Sequence, residues 1–120
     1  MAATVKLGDE PPTGRLLRVF LGEKDRVGKV PAYRAVVEAA RELGLAGATV
    51  LYGSIGYGAN SVIHRPELWR LSGDLPVVVE VVDSEARVTA LIERLESMLE
   101  GGGLITVESV RVLRYQGRAR

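Results

Sequence analysis

The stretch Pro76-Val77-Val78-Val79-Glu80-Val81-Val82-Asp83-Ser84-Glu85 decides the fold. Its valines form a β-branched run of strand length, and Pro76 is tolerated because it stands at the strand's start, where no ladder hydrogen bond is lost. Asp83-Ser84-Glu85 then supplies an N-cap and an acidic first turn. Val88, Leu91, Ile92, Leu95, Met98 and Leu99 follow at helical spacing, up to Gly101-Gly102-Gly103. A strand thus passes directly into an amphipathic helix.

Upstream, Leu16 to Leu21 is a short apolar run closed by Gly22 and reads as a first strand. After the polar turn Glu23-Lys24-Asp25-Arg26, Pro31 opens a helix in which Tyr33, Val36, Val37, Ala40 and Leu43 share a face. Gly44 suits its C′ position. Ala48 to Tyr52 is a second strand, and Leu104 to Tyr115 alternates as a half-buried final strand. The order strand, helix, strand, strand, helix, strand predicts an α+β, ferredoxin-like βαββαβ fold: a four-stranded antiparallel sheet with two helices on one face. Apolar residues occupy both registers of the first strand, Leu17, Val19 and Leu21 against Leu16 and Phe20. The helix-free face therefore also needs a cover, most simply another copy of the chain.

Length and composition agree with one compact domain. The 120 residues are too few to divide, 47% are hydrophobic and 26% charged. Residues 1–14, with Pro11-Pro12 and Gly14, read as a flexible N-terminal lead-in, 15–116 as the domain and 117–120 as a C-terminal tail. The 16 basic and 15 acidic side chains are interspersed, which argues against nucleic acid as a partner; Arg111, Arg114, Arg118 and Arg120 read as a solvated end. Without cysteine there is no disulfide, thiolate zinc site or cysteine nucleophile. Met1 to Thr13 lacks the apolar core of a secretory signal, and no run nears the roughly 20 apolar residues that span a bilayer. The expectation is a cytoplasmic protein without membrane insertion. Asn60 and Gln116 are the only side-chain amides and arginine outnumbers lysine, a pattern of thermophile proteins that a GC-rich genome also produces.

The connection Gly53 to Leu75 is unusually long for a compact domain. It begins Gly53-Ser54-Ile55-Gly56-Tyr57-Gly58. These glycines read two ways: as a backbone nest open to a ligand, or as a flexible hairpin extension. Gly101 has a structural use as a helix C′ residue, while Gly102 and Gly103 form either a loose turn or backbone exposed to a ligand. His64, the sole histidine, makes no metal site within one chain, although symmetry would bring copies together. Leu68 and Trp69 anchor the returning limb of the loop. Gly28-Lys29 offers a generic anion site before a helix. There is no Walker A pattern, no GxSxG elbow and no recognisable catalytic triad, and Glu23, Asp25, Asp74 and Asp83 sit at turns as capping or solvated groups. No catalytic residue is assigned.

Several motifs together resemble the PII-like proteins known as domain of unknown function 190: Leu21-Gly22-Glu23, Pro31-Ala32-Tyr33, Gly44 to Val50, Gly53 to Gly58, Leu71-Ser72-Gly73-Asp74-Leu75-Pro76, and Val81-Val82-Asp83. The resemblance implies a trimer, with 53–75 equivalent to the T-loop through which PII signalling proteins contact partners. It further implies an adenine nucleotide between subunits, touching Gly53, Ser54, Gly56 and Gly58 from the loop base and Gly101, Gly102 and Gly103 from the second glycine turn. Tyr57, Asn60, His64, Arg65 and Trp69 would then be the partner-contacting loop positions, and the target a membrane transporter or enzyme. The chain lacks the lysine and glutamine that PII proteins place in the T-loop, and Tyr57 is not securely aligned with their uridylylation tyrosine. Two readings compete on the same architecture. One is a metal-handling or structural trimer like the CutA proteins. The other is an acylphosphatase-like enzyme, for which Arg26 is in place but Asn60 is on the loop and not on the second strand.

Overall fold

The computed structural model describes residues 3–4, 13–57 and 74–115. In chain order the elements are β1 (Ala3–Thr4), β2 (Thr13–Gly22), β3 (Arg26–Val27), β4 (Val30–Pro31), α1 (Ala32–Glu42), β5 (Thr49–Tyr52), β6 (Pro76–Ser84), α2 (Glu85–Leu99), β7 (Leu104–Arg111) and β8 (Arg114–Tyr115). The main sheet has the order β5-β6-β2-β7 and every pairing is antiparallel. This is the ferredoxin-like arrangement, with β2 and β6 central and β5 and β7 at the edges.

Both helices cover one face. Leu17, Val19 and Leu21 of β2 and Val77, Val79 and Val81 of β6 point into a single core with Ala32, Val36, Ala39 and Ala40 of α1 and Val88, Leu91 and Leu95 of α2. Each fully buried leucine or valine contributes about 1.5–3 kcal/mol relative to exposure, so this layer dominates the stability of the fold. The core contains no buried polar or charged side chain among the described residues.

The helix ends are set locally. At α1 the Gly44 N–H donates to the Arg41 carbonyl and the Leu45 N–H to the Ala40 carbonyl. With Gly44 at φ +81° and Leu45 buried, this is a Schellman cap. At α2 the Ser84 Oγ accepts from the Arg87 N–H at 3.3 Å, and Glu85 is the acidic residue of the first turn. The two helices are tied where α1 exits: Arg87 donates to the Gly44 carbonyl, and Asp83 accepts from the Ala46 N–H at 2.8 Å.

Two segments differ from the sequence expectation. Gly28-Lys29 forms the turn of the small β3–β4 hairpin, in register Arg26 to Pro31 and Val27 to Val30, and does not form the helix N-terminus. Gly28 takes φ +61° there, the left-handed backbone a two-residue hairpin turn requires. Pro31 is the N-cap residue of α1, with its preset φ of −54°. The final strand is not continuous: β7 ends at Arg111 because its partner β2 begins at Thr13, and Arg114–Tyr115 pair instead with Ala3–Thr4. A ladder extends only as far as both strands do.

Candidate ligand and assembly surfaces

The sheet face away from α1 and α2, helix-free among the described residues, is read from the register. Leu51 lies opposite Val78, Val78 opposite Phe20, and Phe20 opposite Leu104. Side chains alternate in strands, so these four form one apolar row across the whole sheet. Leu51 is 47% exposed, Phe20 37% and Leu104 58%, and no described helix covers them. Leu16 and Val82, also opposite each other, add a second apolar patch.

Between the two patches runs a charged row. The Arg18 Nε donates to Glu80 Oε2 at 2.9 Å, and its Nη1 to Glu108 Oε1 at 2.8 Å. The carboxylates raise the guanidinium's already high pKa, Glu80 most and Glu108 next. Glu80 is directly opposite Arg18 on β6. Glu108 is the diagonal neighbour on β7, since Arg18 pairs with Thr106. Composition hides this grouping: residues 18, 80 and 108 meet only because β2 lies between β6 and β7.

The two glycine turns lie at one end of this sheet, on opposite edges. Gly53 follows β5 and its N–H donates to the Pro76 carbonyl at 2.7 Å. Gly103 precedes β7. Three interstrand steps separate β5 from β7, about 14 Å within one subunit. Part of the glycine requirement is internal. A Cβ on Gly53 would stand 2.7 Å from Pro76 Cγ, and one on Gly103 2.9 Å from Leu21 Cδ2 and 3.2 Å from the Phe20 carbonyl oxygen. A Cβ on Gly56 would likewise stand 3.2 Å from Pro76 Cγ. A Cβ on Gly101, at φ +83°, would meet nothing within 4 Å, so its requirement is conformational. Gly102 donates to the Leu99 carbonyl at 2.8 Å. Pro76, the platform under Gly53 and Gly56, was legible in the sequence only as a strand start.

Beside the loop base, Tyr33 of α1 and Tyr52 of β5 meet edge to face, with ring centroids 6.0 Å apart and planes at 70°. The Tyr33 hydroxyl, by hydrogen bonding, holds the Tyr52 phenol above its ordinary pKa, with desolvation adding to the effect. Ser54, Ile55 and Tyr57 continue outward exposed. Gly58, Asn60, His64, Arg65 and Trp69 lie outside the described residues. The turn carboxylates are engaged in local structure: Asp25 accepts from the Gly22 N–H at 2.8 Å, and Glu23 accepts from the Leu75 N–H at 3.5 Å. At the other end of β5, a groove of about 440 Å³ is lined by Val37, Ala40, Arg41 and Leu45 to Ala48. No group of three or more side chains suited to holding a metal ion occurs among the described residues. No described helix is long and apolar enough to cross a membrane.

Comparison with known proteins gives this geometry a context. A protein of Aquifex aeolicus described as a UPF0166 protein is 38% identical over 99 residues, covering 82% of this chain and 92% of the relative. In structure, the chain resembles CPII of Thiomonas intermedia, solved with ADP and bicarbonate, at a TM-score of 0.62 and 18% identity, covering 84% of this chain and 89% of that one. A PII-like signalling protein of Thermus thermophilus matches at a TM-score of 0.56 and 19% identity, covering 84% and 90% of the two chains. At these identities the structural matches speak for a shared PII-like fold. Residues 14–112 match the DUF190 family, described as an uncharacterised ACR, and the chain belongs to that family.

Proposed function

We propose that this protein is a PII-like regulator: a homotrimer that senses an adenine nucleotide in clefts between subunits and passes the signal through segment 53–75 to a protein target, a transporter or an enzyme. One observation carries the reading. The two glycine turns occupy the same end of the sheet but opposite edges, about 14 Å apart within one chain. Neighbouring copies set edge to edge in a ring, with these sheet faces turned inward, bring the β5 turn of one subunit against the β7 turn of the next and cover one another's faces. The uncovered row Leu51, Val78, Phe20 and Leu104 supports such self-association, because an apolar stripe of this width is costly in water.

In the cleft, the N–H groups of Ser54, Gly56 and Gly101 are suited to phosphate oxygens, and Gly58 extends the loop-base cluster in sequence. Gly53 and Gly102, whose N–H groups donate to the Pro76 and Leu99 carbonyls, serve by letting the backbone approach closely. Gly103 serves there by holding the turn against Leu21. The ADP in the Thiomonas structure supports an adenine nucleotide as the ligand class. The mechanism is differential affinity: the nucleotide binds one arrangement of the 53–75 segment better than others and so changes what Tyr57, Asn60, His64, Arg65 and Trp69 present to a target. No bond is made or broken.

The test is calorimetric titration of the purified protein with AMP, ADP, ATP and cyclic AMP, with sedimentation run on the same samples. Saturable binding at one site per subunit in a trimer is expected. Silence from all four nucleotides overturns the sensing reading, and a monomer overturns the shared cleft.

A further inference from the structure

The charged row on the helix-free face does not balance. Among the described residues Arg18 is its only cation, and Glu80 and Glu108 are its two anions. The other described positions facing them are uncharged: Thr49 on β5, Leu16 and Phe20 on β2, Val78 and Val82 on β6, and Thr106 and Val110 on β7. Each described face therefore carries one net negative charge between two apolar patches. In the free subunit water screens this charge, and such exposed ion pairs contribute little. Covering the face removes that water and leaves one carboxylate per copy without a counter-charge among the described residues.

The two carboxylates are not equivalent. Glu80 lies directly opposite Arg18, accepts from its Nε, and has a side chain 31% exposed. Glu108 is bound diagonally through Nη1 and is 57% exposed, so it has the most hydration to lose. We propose that Glu108 is a proton-coupled control on self-association across this face, uncompensated when copies assemble and neutralised by taking up a proton. The inference rests on the proposed self-association and adds its regulation.

The sign follows from linkage. A carboxyl whose pKa is higher in the assembly than in the free chain binds a proton on assembly. Association is then strongest where Glu108 is protonated and weakens as pH rises through its assembled-state pKa. Glu108→Gln keeps the shape and a hydrogen-bond acceptor for Arg18 while removing the charge, so it mimics the protonated state at every pH.

The experiment measures sedimentation equilibrium and exchange of labelled subunits for the full chain, Glu108→Gln and Arg18→Met between pH 5 and pH 8, with circular dichroism to verify folding. Exchange rates remain readable when dissociation is too weak to quantify. The expected result is tighter association of the parent at pH 5, about tenfold tighter association of Glu108→Gln than of the parent at pH 8, a flattened pH profile in that variant, and weaker association of Arg18→Met. An oligomer with no pH dependence, or one that Glu108→Gln weakens, overturns the role of Glu108 and leaves the assembly intact. A chain that stays monomeric at every pH and concentration overturns the assembly reading itself.

Discussion

Phe20 on β2 and Leu104 on β7 stand directly opposite each other on the face of the sheet that neither described helix covers. Both are exposed in the subunit, although the same two strands bury Val19 fully and Ile105 partly on the other side. Among the described residues, one sheet thus has a closed core on one face and an exposed apolar surface on the other. On the proposed assembly, the stability of the chain and its association depend on different side chains.

Phe20→Asp and Leu104→Asp are expected to convert the assembly to folded monomers. The helix-side core is untouched, so far-ultraviolet circular dichroism should match the parent while sedimentation velocity shows one subunit. Retention of the oligomer in both variants would place the interface elsewhere.

Leu95→Ala addresses the closed face. Leu95 is fully buried beneath α2, and its truncation should cost about 2–5 kcal/mol through lost transfer energy and the cavity left behind. Denaturant unfolding of the two proteins at equal concentration measures the difference. The contrast with Phe20→Asp is diagnostic, since one variant lowers subunit stability and the other lowers association.

The glycine turn gives a graded pair. Gly103→Ala meets both a left-handed φ of +78° and contacts of 2.9 Å to Leu21 Cδ2 and 3.2 Å to the Phe20 carbonyl oxygen, so it should cost roughly 2–4 kcal/mol. Gly101→Ala meets only the left-handed backbone penalty, about 1–2 kcal/mol, with open space around the new methyl group. Thermal unfolding should therefore rank Gly101→Ala well above Gly103→Ala.

Tyr52 should titrate above the usual phenol range, and Tyr33→Phe should lower its pKa by removing the hydroxyl partner. A phenol whose pKa is raised by folding contributes stability in its neutral form. That contribution is present below the unfolded value and lost as pH rises through the folded one. Ultraviolet difference titration follows the ionisation, and an unchanged curve in Tyr33→Phe would show that the hydrogen bond is not the main cause.

Much of the fold was legible from pattern alone. The valine run 76–82, the Ser84 cap and the period of Val88, Leu91 and Leu95 each obey local rules, and so do Gly44 and the apolar face of α1. The Gly28-Lys29 hairpin was not legible, because two residues per strand are too few to show a period. The break after Arg111 depends on where β2 begins, information held about a hundred residues away. The alternation of Leu16 and Phe20 with Leu17 and Val19 implied a second buried face, but it did not say which side chains would share it.

By itself, then, the sequence determined the order and type of the main elements, the helix caps and the existence of two apolar faces, since these follow from backbone preference and side-chain period over a few residues. Only the tertiary structure decided that Leu51, Val78, Phe20 and Leu104 form one row and that Arg18 gathers Glu80 and Glu108. It alone placed the two glycine turns at one end of the sheet on opposite edges. Those relations depend on strand order and register, which are set by the packing of the whole sheet against its helices and by no local segment.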